Sequence, residues 1–340
     1  MEKVDLSRYQ AGSILGTGAD YEARAAVERE SGRLVVLKRP VPQMVRHQLH
    51  AGIEARTDRM LQTYQEVGHT IPTLAPILGY TDRANHDAYF GDTLGQEYRV
   101  IVAERAVGLP LVGDPKARIT GVPIGVGQNV FALFPLVQPE GYPPFAIQQQ
   151  LLDLEEAFFQ AGYILLDLRP QNVLYQPACG RITVIDCGAL VDINTAADRQ
   201  GRPPQDIHDF YLEMLKFYTT PEPPPAQAHG YREPHGLRPV VNFGRELDDM
   251  AQHFKVVPDP VVQEAALTII SQVHHRAYAA FTDFRRDLIA YLEAVGMSHQ
   301  ALSPLSVPRQ AWAEALAWLQ ADYWQRYLFH AETELAVFVP

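Results

Sequence analysis

Cysteine is scarce in this sequence, with only Cys179 and Cys187 in 340 residues. Two thiols give neither a disulfide framework nor a cysteine metal cluster, and a reducing, cytoplasmic setting is the expectation. Positive charge is short too: 29 Lys and Arg face 40 Asp and Glu, for a net charge of −11. That balance argues against nucleic acid as a partner, since nonspecific binding calls for a basic face. It leaves room for a small phosphate-bearing ligand, whose phosphates need only local positive charge. Long apolar runs are missing. Stretches such as Phe131–Val137 fall far short of the roughly 20 residues of a membrane-spanning helix, so no membrane partner is expected. The first residues, Met-Glu-Lys-Val-Asp, do not read as a basic segment followed by an apolar core, and no signal peptide is expected. No internal repeat is present.

What is there is a globular composition, 47% apolar and 20% charged, with length enough for a large core in one bilobal domain or two ordinary ones. The first hundred residues read mainly as strands: Tyr9–Gly16, Tyr21–Arg29, Arg33–Arg39, Leu74–Thr81 and Glu97–Arg105, rich in Val, Ile, Tyr and Leu and separated by Gly and polar turns. Leu49, Ile53, Met60 and Tyr64 recur at helical spacing and predict a helix over 46–67. Gly and Pro crowd 106–143, a connector with an insertion and a candidate hairpin (Arg118–Val122 with Val130–Leu136). Beyond it the pattern turns helical. Ile147, Leu151, Leu154 and Phe158 form one stripe with Gly162 as its stop, and Ile207, Phe210, Met214 and Phe217 form another. Further helices are expected over 260–273 and 280–295, and an aromatic stripe from Trp312 to Tyr327 ends the chain. Strands first and helices after make an α+β pattern.

The chemistry concentrates in two places. Leu165-Leu166-Asp167-Leu168-Arg169-Pro170-Gln171-Asn172-Val173-Leu174, followed by Ile185-Asp186-Cys187-Gly188, sets two carboxylates and a carboxamide at the spacing that phosphoryl transfer needs. One acid orients a hydroxyl, while the amide and the second acid hold Mg²⁺ on ATP. Upstream, Leu15-Gly16-Thr17-Gly18-Ala19-Asp20-Tyr21 puts glycines between two strands, where backbone N–H groups approach phosphates. Alone, such glycines fit an ordinary hairpin turn better. Val35-Val36-Leu37-Lys38 shifts the balance, because a lysine on the next strand reaches under that turn to the α- and β-phosphates.

Together these segments resemble the Gly-rich loop, lysine strand, catalytic loop and metal-binding loop of protein kinases, and in particular the Ser/Thr kinases of bacteria. The segment from His275 to Leu292 is similar to the last helices of that domain, so the resemblance covers roughly residues 9–297. It implies a β-rich N-lobe over 1–111, a connector over 112–143, a helical C-lobe over 144–297 and an added tail over 298–340. It implies Asp167 as the hydroxyl-orienting acid, Arg169 and Lys38 as phosphate-facing cations, and Asn172 and Asp186 as Mg²⁺ ligands. Gly16 and Gly18 would cover the phosphates. Glu54, or failing it Glu66, would hold Lys38 extended. The hinge would follow Tyr98–Ala103, with backbone groups of Glu104 and Ala106 for adenine; Phe134–Val137 is an alternative hinge. Asp206 would tie down the catalytic loop, and Arg276 would meet Gln205 or no partner.

The departures are specific. Tyr21 stands at the third glycine, where it would stiffen or partly block the phosphate cover. Leu165-Leu166 replaces His-Arg, Cys187 replaces the Phe of D-F-G, and the segment after Asp186 is short and lacks A-P-E. The expected function is an atypical ATP-dependent phosphotransferase acting on a hydroxyl, of protein Ser or Thr or of a small molecule. A pseudokinase that binds nucleotide or a protein partner without catalysis is the alternative, a small-molecule kinase the third reading. The tail offers a partner-docking helix as a secondary expectation.

Overall fold

The computed structural model describes residues 1–107, 109–110, 145–166, 168, 172–176, 180–193, 206–218 and 242–302. They form a mixed α+β chain in two compact units. One holds Met1–Val107 together with Ile185–Leu190; the other draws on Gly108–Val184 and Val191–Trp324.

The first unit is built on strands β1 (Glu2–Lys3), β2 (Tyr9–Thr17), β3 (Tyr21–Glu28) and β4 (Leu34–Pro40). Helices α1 (Pro42–Arg46) and α2 (Ala51–Glu66) follow, then β5 (Ile77–Tyr80), the short α3 (Asp87–Phe90) and β6 (Ile101–Glu104). The strands make one six-stranded sheet in the order β1-β5-β6-β4-β3-β2. All neighbours run antiparallel except β1 with β5. Period-2 alternation sets β4: Val35, Leu37 and Arg39 are buried, while Val36 and Lys38 face the opposite side, half-buried. Val35 and Leu37 join Leu6, Tyr9, Tyr98, Val100 and Val102 in the core. Register shifts in β2 between Ala11 and Gly16 mark bulges just before the turn into β3.

The helix expected over 46–67 starts only at Ala51, after a separate short α1. Pro42 starts α1, as proline suits a first helical turn. Gln48 then takes a left-handed conformation, φ 56°, which no α-helix continues through. Leu49, expected on the apolar stripe, is exposed. From Ala51 the pattern holds, and α2 buries Ile53, Thr57, Met60 and Leu61 on one face.

The second unit starts with β7 (Leu109–Pro110), and α4 (Ala146–Gln160) carries its central stripe of Ile147, Leu151, Leu154 and Phe158, all buried. Gly162 ends that stretch with φ 90°, a conformation that suits glycine alone. Next come β8 (Tyr163–Leu165), the antiparallel pair β9 (Val173–Gln176) and β10 (Arg181–Val184), and β11 (Leu190–Asp192). β7 adds to β9, and β11 pairs with β8. Helices α5 (Ile207–Tyr218), α6 (Phe243–Phe254), α7 (Pro260–His274) and α8 (Phe281–Leu302) complete it. The α6 helix was not expected from the sequence. Its start is fixed by reciprocal bonds: Asn242 Oδ1 accepts the Arg245 amide at 3.1 Å and Glu246 Oε1 accepts the Asn242 amide at 3.1 Å. An aromatic stack of Tyr211 on Phe284, centroids 3.9 Å apart, joins α5 to α8. The candidate hairpin of 118–136, the tail stripe and the hinge alternative at Phe134–Val137 fall outside the described residues.

Candidate functional site

Lys38 lies late in β4, opposite Ile101 of β6 and Ala23 of β3. Its side chain is only 14% exposed. The ammonium stands 3.5 Å from Asp186 Oδ1, a long ion pair, and 3.5 Å from the Ile185 carbonyl. It also sits 5.2 Å from the centre of the Tyr21 ring. Chain folding thus joins residues 148 positions apart. Asp186 Oδ1 accepts the Gly188 amide at 3.0 Å, while Oδ2 is bonded to no described residue and the side chain is 38% exposed. Cys187 is buried, and burial pushes its thiol up to about 12, which makes it an inert small hydrophobe at neutral pH.

Glu54 does not meet Lys38. It is buried on α2, where Oε2 pairs with Arg83 Nε at 3.0 Å and Oε1 accepts the Arg99 amide at 3.0 Å. Two donors remote in sequence saturate it first. Glu66, the fallback, accepts only from Gln62 on its own helix. Tyr21 fills the space toward α2 instead. Its ring is turned inward and buried, and its hydroxyl reaches Thr57 Oγ1 at 2.7 Å. Burial raises its pKa above the ordinary phenol value.

Gly16 and Gly18 occupy the end of β2 and the turn after it, where the Gly18 amide donates to Tyr21 O at 2.9 Å. Neither has a positive φ, and an added Cβ would meet nothing closer than 3.7 Å. The fold by itself therefore does not demand glycine at either position. Glu104 ends β6 with its amide on the Pro76 carbonyl at 2.8 Å and its carboxylate on Arg33 at 2.8 Å. Only its carbonyl side is left for a ligand. Ala106, two residues on, makes no hydrogen bond among the described residues.

In the second unit Asp167 and Arg169 lie outside the described residues. Their neighbours do not. Glu155, fully buried on α4, accepts the Leu165 amide at 3.0 and 3.2 Å through both oxygens. Glu213, buried on α5, accepts the Leu168 amide at 3.0 Å. These carboxylates take up the backbone on either side of 166–167. Sequence reasoning missed both, though a glutamate on the buried stripe of an amphipathic helix is a legible signal. Burial holds the Glu155 carboxyl well above the usual range, with Glu213 nearby adding to the shift. Asn172 stands half-buried just ahead of β9 and bonds to no described residue.

Among the described residues Asp206 caps the His208 amide at 2.8 Å and pairs with Arg276; the loop residues it was expected to hold lie mostly outside them. Arg276 therefore has a partner other than Gln205: Asp206, with Asp209 at 3.5 Å, while Phe243 stacks beneath it at 4.2 Å. An acid at the start of α5 meets a residue just past the end of α7 because those helices pack together.

Among the described residues no cluster of three or more His, Cys, Asp or Glu could hold a metal, and no helix is long and apolar enough to cross a membrane. No protein-family model and no curated protein sequence matches this chain.

Proposed function

We propose that this chain is a protein-kinase-like phosphotransferase, with a β-rich N-lobe and a helical C-lobe, that takes ATP with Mg²⁺ at the Lys38–Asp186 pair and passes the γ-phosphate to a hydroxyl. The observation that carries the reading is the Lys38–Asp186 pair beside the Tyr21 ring. A shielded ammonium held by one long ion pair is free to turn to phosphate oxygens. Asp186 keeps Oδ2 unbonded, which fits a hard cation that takes one or two protein oxygens and leaves the rest to phosphates and water. Asn172 would be the second protein ligand. Bound there, the metal would neutralise charge on the phosphates. The chain's own residues do the remainder. Gly16 and Gly18 bring backbone close to the phosphates, and Ala106 offers a backbone edge to adenine. Asp167 would orient the acceptor hydroxyl, with Arg169 balancing charge beside it. The departures around Asp167 and the short segment after Asp186 fit a small or loosely held acceptor better than a peptide bound along a platform.

The test is binding before catalysis. Purified full-length chain with ATP and Mg²⁺ is expected to melt at a higher temperature than without, and Lys38→Met or Asp186→Asn is expected to abolish that rise. Labelled γ-phosphate would then reach protein or metabolite acceptors in wild type and not in Asp167→Ala. Binding without transfer across a broad acceptor panel supports the pseudokinase reading, which Tyr21 at the glycine position and the lack of a helix carboxylate on Lys38 favour. Transfer to a metabolite alone identifies a small-molecule kinase. Absence of any nucleotide-dependent shift ends the proposal.

A further inference from the structure

Tyr21 has so far no part in the chemistry, yet it borders Lys38, the loop at Gly188 and α2. The Lys38 ammonium lies 5.2 Å from its ring centre. Its Cε2 is 3.6 Å from where a Cβ on Gly188 would stand, so the ring edge also borders the Asp186–Gly188 loop. On the far side the hydroxyl meets Thr57 Oγ1 at 2.7 Å and the Ile53 carbonyl at 3.5 Å, both on α2. Thr57 has one proton and directs it to the Ile53 carbonyl at 2.9 Å, so Tyr21 is the donor of the 2.7 Å bond. The carboxylate that would otherwise link α2 to Lys38 is engaged by Arg83 and the Arg99 amide.

We propose that Tyr21 is the positioning residue of Lys38: its ring carries the ammonium on one side while its hydroxyl pins the β3 strand to α2. A neutral link thereby replaces an ion pair between strand and helix. The ring shields the ammonium without neutralising it, and among the described residues Asp186 and the Ile185 carbonyl, both at 3.5 Å, compete with an incoming phosphate for the charge. As a statement about phosphate binding the proposal rests on the ATP reading above; as a statement about Lys38 it stands on the contacts alone.

The experiment therefore measures both. Wild type, Tyr21→Phe, Tyr21→Leu and Thr57→Val are pulsed with N-hydroxysuccinimidyl acetate, and acetylation of Lys38 is read by mass spectrometry against exposed Lys3 as internal reference. Removing the ring is expected to raise Lys38 labelling about threefold or more, the worth of a modest cation–π contact. Tyr21→Phe and Thr57→Val, which keep the ring and lose the hydroxyl link, are expected to raise it less. Equal labelling in wild type and all folded variants would overturn the proposal. Should Tyr21→Leu not fold, unchanged labelling in both Tyr21→Phe and Thr57→Val overturns it just as well. The same proteins are titrated with ATP and Mg²⁺, and affinity is expected to fall in the same order as labelling rises. A wild type that binds no ATP removes the nucleotide reading and leaves labelling alone to decide on Tyr21.

Discussion

Lys38 and Arg39 are neighbours on β4, both cations and both largely withdrawn from water, yet the structure treats them in opposite ways. Arg39 is 2% exposed and saturated. Its Nε and Nη2 each meet Glu22 Oε1 at 2.9 Å, Nη1 pairs with Asp92 and reaches the Tyr98 hydroxyl at 3.3 Å, and the Phe90 ring lies 4.1 Å below. Lys38, on the other face, has one carboxylate at 3.5 Å, one carbonyl and one ring. A planar guanidinium with five fixed donors suits a permanent buried network, while an ammonium on a flexible stem suits a charge that changes partners. Two faces of one strand separate a charge locked in short contacts from a charge held by long ones.

The largest expected effect tests the saturated side. Arg39→Leu leaves Asp92 without its cation and Glu22 with Arg24 alone, and unfolding by urea is expected to show a loss of about 3 kcal/mol. A loss under about 1 kcal/mol would mean that the network contributes little and that the two cations differ less than their geometry says. Lys38→Met tests the other side. Its long ion pair is a weak contributor, so stability without nucleotide is expected to change by about 1 kcal/mol or less, while the ATP-dependent rise in melting temperature disappears. If Lys38→Met were as destabilising as Arg39→Leu, Lys38 would be a structural cation and the phosphate role would lose its basis.

The same contrast explains how far the sequence could be read. Strands β2, β3 and β4 were legible to within a residue or so, because period-2 alternation and glycine turns are local signals. Lys38 was legible for the same reason, as the last residue of Val-Val-Leu-Lys. Its partner was not. Glu54 stood at a plausible position on α2, but Arg83 and the Arg99 amide, which claim it, come from segments the chain brings in only by folding. Tyr21 read as an obstacle over the phosphates, and only burial against Thr57 turns it into a brace. The break at Gln48 and the start of α6 were hidden by a left-handed residue and by an Asn-Phe-Gly that reads as a turn. Pairings, backbone conformation and the whole of α6 were what the sequence withheld.

Glu155 extends the comparison to a third buried charge, and the smallest effect. Unlike Glu22 it has no cation among the described residues; only the Leu165 amide approaches it. Burial raises its folded-state pKa well above 4.5. A group raised in the folded state stabilises fully below its unfolded value and loses that contribution as pH climbs through the folded value. Wild-type stability is therefore expected to decline with rising pH above about 4.5 through this residue. Glu155→Gln keeps an oxygen for the Leu165 amide and cannot ionise. At pH 5 its stability should lie within about 1 kcal/mol of wild type, and toward pH 8 the variant should gain on wild type steadily. Urea unfolding of both proteins across that range gives the answer. A difference that does not vary with pH would mean that Glu155 is charged throughout and compensated as Arg39 is, and the division between saturated and unsaturated buried charges would fail in the second unit.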